Sequence, residues 1–231
     1  MNERDGWFLE TLQPLSQCLS QDVVVWRTQD GARTWAKLSV TGLASLQCKG
    51  SVAFVDTDRG YIPTYDENRA PMIYRTADGG RTWSASAPLP DPPGFVTAAA
   101  GRTLRVSDVA DFGSVLYADA LGFNDSSRYY VYRSTDRGAT WSFVSMAPIQ
   151  ATPVVLSTPT RWLQIGPGSS QETSDSGASW HAYVTDYGQA APVAPQFAFG
   201  DATTGYATVR GGLQRTLDGG AHWTSLKTPG T

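Results

Sequence analysis

The chain of 231 residues is poor in several things at once. It carries two cysteines, two histidines, three lysines and four glutamates. No apolar run approaches the ~18 residues of a membrane-spanning helix, so membrane insertion is not expected. The two histidines, His181 and His222, have no metal-ligand spacing around them, which removes the basis for a metal site. A Ser-His-Asp set would have to use one of these same two residues. No glycine-rich loop follows a strand and opens a helix, and no cofactor is expected. The formal charge is −3 and the arginines are scattered, so there is no basic stripe to attract nucleic acid or an anionic bilayer. Only 17% of residues are charged against 41% hydrophobic, a balance that suits a folded globule and not a disordered chain. The opening "MNERDGWFLE" lacks the basic start and apolar stretch of a signal peptide. The chain is therefore expected to be either cytoplasmic or a mature form whose leader was removed.

What is present is repetition. "RTQDGARTW", "RTADGGRTW", "RSTDRGATW", "ETSDSGASW" and "RTLDGGAHW" end at Trp35, Trp83, Trp141, Trp180 and Trp223. Their shared content is Ser or Thr, any residue, Asp, any residue, Gly, two more, Trp. The carboxylates of Asp30, Asp78, Asp136, Asp175 and Asp218 can accept hydrogen bonds from turn N–H groups, and the glycine can take a positive φ. Together they close a tight hairpin. Each Trp opens the outgoing strand and is expected to bury its ring between neighbouring sheets, with a loss of roughly 3–5 kcal/mol on truncation. The first copy departs at the glycine, where Ala32 stands after Gly31. That turn is expected to be strained or of another type.

Upstream of the boxes run β-branched or aromatic stretches such as "VVVW", "MIY" and "YVY", which read as strands. Around the second box the full unit is "VAF", "VDTDRG", "YIPT", "YDENRAP", "MIYRT", the box, then "WSASA". That is four strands. The fifth unit repeats it with "FAF", "YATV", "LQRT" and "WTSL". Successive box aspartates are 48, 58, 39 and 43 residues apart, close to the ~40–50 of a four-stranded propeller blade. The expected fold is all-β: a five-bladed β-propeller of four-stranded antiparallel blades, forming one domain over residues 1–231. The first unit begins at "NERDGW", which matches the turn before a second strand. Either blade one is three-stranded or the chain is a piece of a longer propeller.

These residues carry a family resemblance. The boxes resemble the Asp-box, or bacterial neuraminidase repeat, of sialidases, sortilin-type receptors and some xyloglucan hydrolases. The longer pattern, an apolar-x-Phe strand, a turn ending Gly-aromatic ("RGY", "TGY", "DGW"), then "YRTADGGRTW", looks most like photosystem II stability and assembly factor propellers and their non-photosynthetic relatives. The resemblance spans nearly the whole chain and implies the sialidase-like superfamily fold. It implies no activity by itself, because the box occurs in enzymes and non-enzymes alike.

In a blade the loops alternate between two faces, so all five boxes share one of them and recur there to hold hairpins. Arg27, Arg75, Arg133 and Arg215 recur before the box Ser or Thr and are expected to pair within or between blades; Glu172 interrupts the row. Irregular loops, which can vary without disturbing a core, fall on the opposite face. They place Tyr65, Asp66, Glu67, Arg69, Asn124, Asp125, Arg128, Tyr129, Asp186 and Tyr187 around one end of the central channel. Aromatics beside carboxylates and arginines suit a carbohydrate or protein ligand. The alternative is a glycoside hydrolase. Sialidases use an Arg triad, a Tyr nucleophile backed by Glu and an Asp acid/base, and here Arg69-Ala70-Pro71 is the nearest match to their Arg-Ile-Pro motif. It stands in the wrong strand context, and no catalytic set carries over. A two-carboxylate glycosidase would use Asp66 or Glu67 with Asp125 or Asp186. Cys18 and Cys48 fall on the loop-rich face at adjacent blades, where they are either a disulfide or two free thiols. A disulfide places the protein in an extracellular or periplasmic compartment. The expectation is a non-enzymatic binding or assembly scaffold, exported, with its ligand on the irregular-loop face.

Overall fold

A computed structural model describes residues 4–12, 21–66, 69–95, 103–123, 128–166, 168–188, 196–209 and 212–227. By contact density the chain divides into Met1–Phe143 and Val144–Thr231. Among the described residues every regular element is a strand and every named strand pair is antiparallel. None is a helix long and apolar enough to cross a membrane.

The first unit starts with the three-stranded sheet β1 (Gly6–Thr11), β2 (Val23–Thr28) and β3 (Ala36–Lys37). It continues with β4 (Cys48–Lys49), β5 (Ala53–Phe54), β6 (Gly60–Tyr65), β7 (Ile73–Thr76), β8 (Ser84–Ala85), β9 (Thr103–Asp111), β10 (Leu116–Phe123) and β11 (Tyr129–Ser134). Strand β12 (Ser142–Met146) runs into the second unit. Two meanders, β5-β6-β7-β8 and β9-β10-β11-β12, are joined where Tyr65 stands opposite Arg105, and β4 also pairs with β6. The second unit holds two four-stranded meanders. One is β13 (Val155–Leu156), β14 (Trp162–Ile165), β15 (Ser170–Thr173) and β16 (His181–Ala182); the other is β17 (Phe197–Phe199), β18 (Gly205–Val209), β19 (Gly212–Thr216) and β20 (Thr224–Leu226).

The repeated turns are built alike. In the second, the Thr76 hydroxyl donates to Asp78 Oδ1 at 2.8 Å and accepts the Gly80 N–H at 3.1 Å. Asp78 Oδ1 also accepts the N–H groups of Arg81 and Thr82, and its Oδ2 accepts the Thr82 hydroxyl at 2.7 Å. Thr28/Asp30/Thr34, Ser134/Asp136/Thr140 and Thr173/Asp175/Ser179 repeat the pattern. In the fifth copy His222 replaces the last hydroxyl, its Nδ1 at 2.6 Å from Asp218 Oδ2. Hydrogen bonds of this kind favour the ionised carboxylate. Those from Thr34 hold Asp30 down to about 2, and those on Asp78 outweigh its partial burial to the same end.

Two successive residues of each turn are left-handed: Gly31 and Ala32, Gly79 and Gly80, Arg137 and Gly138, Ser176 and Gly177, Gly219 and Gly220. The first copy thus has the same turn type as the others, and what sets it apart is an alanine at φ 67°. Ala32 is exposed and buries nothing. Replacing it with glycine removes a steric cost of about 1–2 kcal/mol, offset in part by glycine's extra unfolded-state freedom. Ala32→Gly is expected to stabilise the protein by about 0.5–1 kcal/mol, read as a higher urea midpoint at unchanged m-value.

A second recurring bond links four of the five turns to the preceding turn in the same sheet. The N–H of the first left-handed residue meets a carbonyl there: Gly31 to Arg4, Gly79 to Asp58, Ser176 to Thr160 and Gly219 to Thr203. A third set reaches from the sheet before. Trp7 Nε1 donates to the Gly79 carbonyl at 3.0 Å, Arg75 Nη1 to Arg137 at 3.2 Å, and Arg161 Nη2 to Gly219 at 3.0 Å. Arg161 also pairs with Glu172, the residue that interrupts the arginine row.

Apolar cores form between consecutive sheets of a unit. Val25, with Trp7, Leu9 and Leu38, packs on Phe54, Ile62, Tyr74 and Trp83. Tyr61 and Ile73 pack on Leu104, Val106, Ala118, Ala120, Tyr130, Tyr132 and Trp141. In the second unit Leu163 and Ile165 meet Tyr187, Phe197, Phe199 and Trp223. Box tryptophans do not all share this fate. Trp83 and Trp141 are buried and Trp180 and Trp223 partly so, but Trp35 is 42% exposed. The expectation of a buried ring fails at Trp35 because it faces away from the core that β1 and β2 share with the second sheet.

Candidate functional site

Register fixes which ends of the strands the loops occupy. Gly60 pairs with Thr76, next to the second box, and Pro63 with Ile73, next to the loop that holds Asp66. Leu116 pairs with Ser134 at the third box, and Leu121 with Tyr129 at the other end. Within these sheets the boxes and the irregular loops therefore lie at opposite ends of the strands. Glu67, Asn124, Asp125 and Cys18 lie outside the described residues.

The remaining first-unit candidates are not a uniform rim. Arg69 is exposed, Arg128 half-buried, and Asp66 buried within the protein. Tyr65 and Tyr129 take part in one cluster. The Arg105 guanidinium lies 4.3 Å from the centroid of the Tyr65 ring, a cation–π contact. Arg105 pairs across the sheet with Leu121, and Leu121 in turn with Tyr129. Arg105, Leu121 and Tyr129 thus share one face of the sheet. The other face, with Val106, Ala120 and Tyr130, is core.

Two strand positions further along that face stand Asp108 and Asp119, directly opposite one another across β9 and β10. The register shifts between Asp119 and Ala120, and Ser107 is the extra residue that turns Asp108 onto this face. Directly opposed side chains sit about 4.5–5.5 Å apart at Cβ, and like charges there repel. Asp119 is 1% exposed, and its Oδ1 has no hydrogen-bond partner among the described residues. Burial and then the charge of Asp108 push the Asp119 carboxyl well up. Asp108 is open to solvent yet ringed by enough protein to be pushed up as well, against a hydrogen bond from the Val109 N–H. Burial thus favours the neutral form of both carboxyls, and at Asp119 the charge of Asp108 adds to it. Tyr129 senses both ends of the cluster. Burial and Asp119 raise it to about 12, and Arg105 opposes them.

Behind this end of the sheet lies a second polar group. Lys49 pairs with Thr64 and Cys48 with Tyr65 across β4 and β6. The Lys49 ammonium is enclosed by the carbonyls of Gln21, Ala44, Leu46 and Gln47, at 2.9, 2.6, 3.0 and 2.9 Å. Burial lowers its pKa to about 8, with Asp22 opposing, so it stays charged at neutral pH. Cys48 is disulfide-bonded.

Asp186 and Tyr187, expected on the binding rim, are instead part of the framework. Asp186 Oδ1 accepts the Trp223 N–H at 2.8 Å, and its own N–H donates to Ala221. Asp186 thus clasps the fifth turn. Tyr187 is buried against Phe197 and Trp223, and its hydroxyl donates to the Thr208 carbonyl. The cluster's own members Arg105, Asp108 and Asp119 were missed because loops drew attention away from strands. A signal was there: "YADAL" sets one aspartate among apolar residues inside a strand, where an unpaired charge is costly. Among the described residues no group of three or more His, Cys, Asp or Glu is placed to hold a metal ion.

No protein-family model matches the chain, and no curated protein matches it. Solved structures do. The α-L-arabinanase of Penicillium chrysogenum, complexed with arabinobiose, is 14% identical with a TM-score of 0.55, covering 97% of this chain and 78% of that one. An ulvan lyase is 10% identical with a TM-score of 0.52, over 98% of this chain and 68% of its own. A third match, YCF48 bound to D1 peptide, is 15% identical over 97% and 86% with a TM-score of 0.40. At these identities the likeness is one of fold, and that fold is the β-propeller.

Proposed function

We propose that the chain is a five-bladed Asp-box β-propeller, and that it acts as a non-enzymatic binding scaffold for a carbohydrate. The ligand sits against Tyr65, Arg105 and Asp108, toward the ends of the strands away from the boxes. One observation carries this reading: an aromatic ring, a guanidinium stacked on it and a solvent-open carboxyl share a sheet with Tyr129. A ring face, a fork of donors and a carboxyl are groups that meet a sugar's C–H face and hydroxyls. The fold is compatible with sugar binding in other hands, since a neighbour of the same fold is described as complexed with arabinobiose. Export to an extracellular or periplasmic compartment fits the disulfide at Cys48.

The hydrolase reading has one observation in its favour, the raised acid at Asp108. Against it stands the burial of Asp119. A glycosidase of the usual two-carboxylate kind needs both groups on the substrate, and here one is open and the other enclosed. A glycan array and fluorogenic arabinoside and sialoside assays separate the readings. We expect glycan retention without turnover, weakened about tenfold or more by Tyr65→Ala and by Asp108→Asn, a loss of about 1.4 kcal/mol at least. Turnover by the wild type that Asp108→Asn abolishes establishes the hydrolase instead. Retention of no glycan at all removes the carbohydrate assignment.

A further inference from the structure

Two carboxyls in the candidate site lack the partners that the same strand supplies elsewhere. Asp111, at the far end of β9, receives the Arg59 guanidinium at 3.1 Å and the Tyr61 hydroxyl at 3.1 Å. Asp108 and Asp119 receive nothing of the kind: among the described residues no arginine, lysine or histidine pairs with either. Arg105, on their face of the sheet, lies over the Tyr65 ring instead, and the Lys49 ammonium is enclosed by backbone carbonyls.

The deficit is largest at Asp119. Its Oδ1 meets no donor among the described residues, and the nearby backbone N–H groups, its own and that of Asp108, oppose the effect of burial without outweighing it. A carboxyl so placed gives up its charge unless a cation joins it. A separate side chain points to the same spot. Tyr129 is 8% exposed and stands two residues before Val131, the partner of Asp119 in register, so Tyr129 and Asp119 share a sheet face. The Tyr129 hydroxyl makes no hydrogen bond among the described residues, yet it lies close enough to feel the charges of Asp119 and Arg105. A hydroxyl and a carboxyl oxygen without partners thus flank the exposed Asp108.

What these groups lack is a cation that carries hydrogens. An ammonium brings a full charge and three N–H donors, and its bonds to a carboxylate are charge-assisted, roughly twice as strong as neutral ones. The cluster is also polarised along the sheet, with Tyr65 and Arg105 at one end and the two carboxyls further along the same face. An anionic sugar held on Arg105 would bring its charge toward both carboxyls. A neutral sugar would leave Asp119 without a counter-charge.

We propose that the ligand of this site is an amino sugar with a free amine: its ammonium pairs with Asp108, backed by the carboxylate of Asp119, and its ring and hydroxyls lie toward Tyr65, Arg105 and the Tyr129 hydroxyl. The inference rests on the carbohydrate reading above and narrows it to a cationic sugar.

Titration calorimetry of the full chain with three oligosaccharides of one backbone and length tests it: cello-oligosaccharide, N-acetylchito-oligosaccharide and its fully deacetylated form, which differ only in carrying a hydroxyl, an acetamide or an amine at the second carbon. The wild type is expected to hold the amine form about tenfold or more tightly than the other two, and Asp108→Asn and Asp119→Asn are each expected to remove that preference. Both substitutions keep the shape of the side chain, and Asp108 is exposed, so Asp108→Asn carries the test if Asp119→Asn misfolds. A general attraction of a cationic sugar to a chain of formal charge −3 survives both variants, and a preference that survives them overturns the inference. Equal binding of the three sugars overturns it too, as does their failure to bind while other glycans are retained in a Tyr65-dependent way; either result leaves the carbohydrate reading standing. Retention of no glycan of any kind overturns both.

Discussion

Lys49→Met is expected to lose about 3–5 kcal/mol of stability, the largest effect of any single substitution that leaves the apolar core intact. Methionine matches the length and apolar stem of lysine, so the substitution isolates the ammonium. In the folded protein Lys49 is 2% exposed and its ammonium is surrounded by the carbonyls of Gln21, Ala44, Leu46 and Gln47. None of these four residues lies in a named strand. Removing the charge leaves four enclosed acceptors with no donor, each costing about 1–3 kcal/mol less whatever local relaxation admits water. Desolvation works the other way, since burial drags the lysine down to about 8 and is relieved in the variant. The net loss is therefore smaller than the sum of the orphaned carbonyls. Urea unfolding at neutral pH, where Lys49 is charged, measures it. A loss below about 1 kcal/mol means that the carbonyls are satisfied without the ammonium.

Lys49 also marks where the sequence stops being readable. Its partners are backbone carbonyls, which every residue possesses, so no spacing of side chains announces the cage. The turns are the opposite case. Ser or Thr, Asp and Gly sit at fixed offsets because the hydroxyl, the carboxylate and the left-handed backbone must each act at one place. Five copies of that constraint made the strands, their pairing and the ends at which the loops emerge legible in advance. The candidate site was legible in part. Tyr65 and Tyr129 belong to it, but the charges that complete it lie in β9 and β10, where a bulge decides which face Asp108 takes. A bulge leaves no mark in the alternation around "RVSDVAD".

Asp186 was misplaced for a different reason, and the repeat itself held the remedy. It lies six residues after Trp180, as Thr41 lies six after Trp35. The Thr41 carbonyl accepts the Trp83 N–H, just as the Asp186 carboxylate accepts that of Trp223. The segment that reads as an irregular loop is still, at that point, bracing the next turn.

Trp83→Ala is expected to cost about 3–5 kcal/mol, whereas Trp35→Ala, the same substitution at the same position of the same motif, costs under about 1 kcal/mol. The turn geometry does not distinguish them, since the Asp30 and Asp78 networks match bond for bond. Surroundings do. Trp83 is 5% exposed, edge-to-face with Phe54, packed with Val25, Ile62 and Tyr74, and its Nε1 donates to the Gly80 carbonyl at 2.8 Å. Truncation there opens a cavity between two sheets that cannot collapse without shifting both, and orphans a buried carbonyl. Among the described residues Trp35 has one ring neighbour, the exposed Phe8, and its removal uncovers little that was dry. Thermal unfolding of both variants at low concentration reads the difference directly. Equal losses would place the stabilising role of the tryptophan inside the turn; unequal ones place it in the packing of the Trp83 ring against Phe54, Ile62, Tyr74 and Val25.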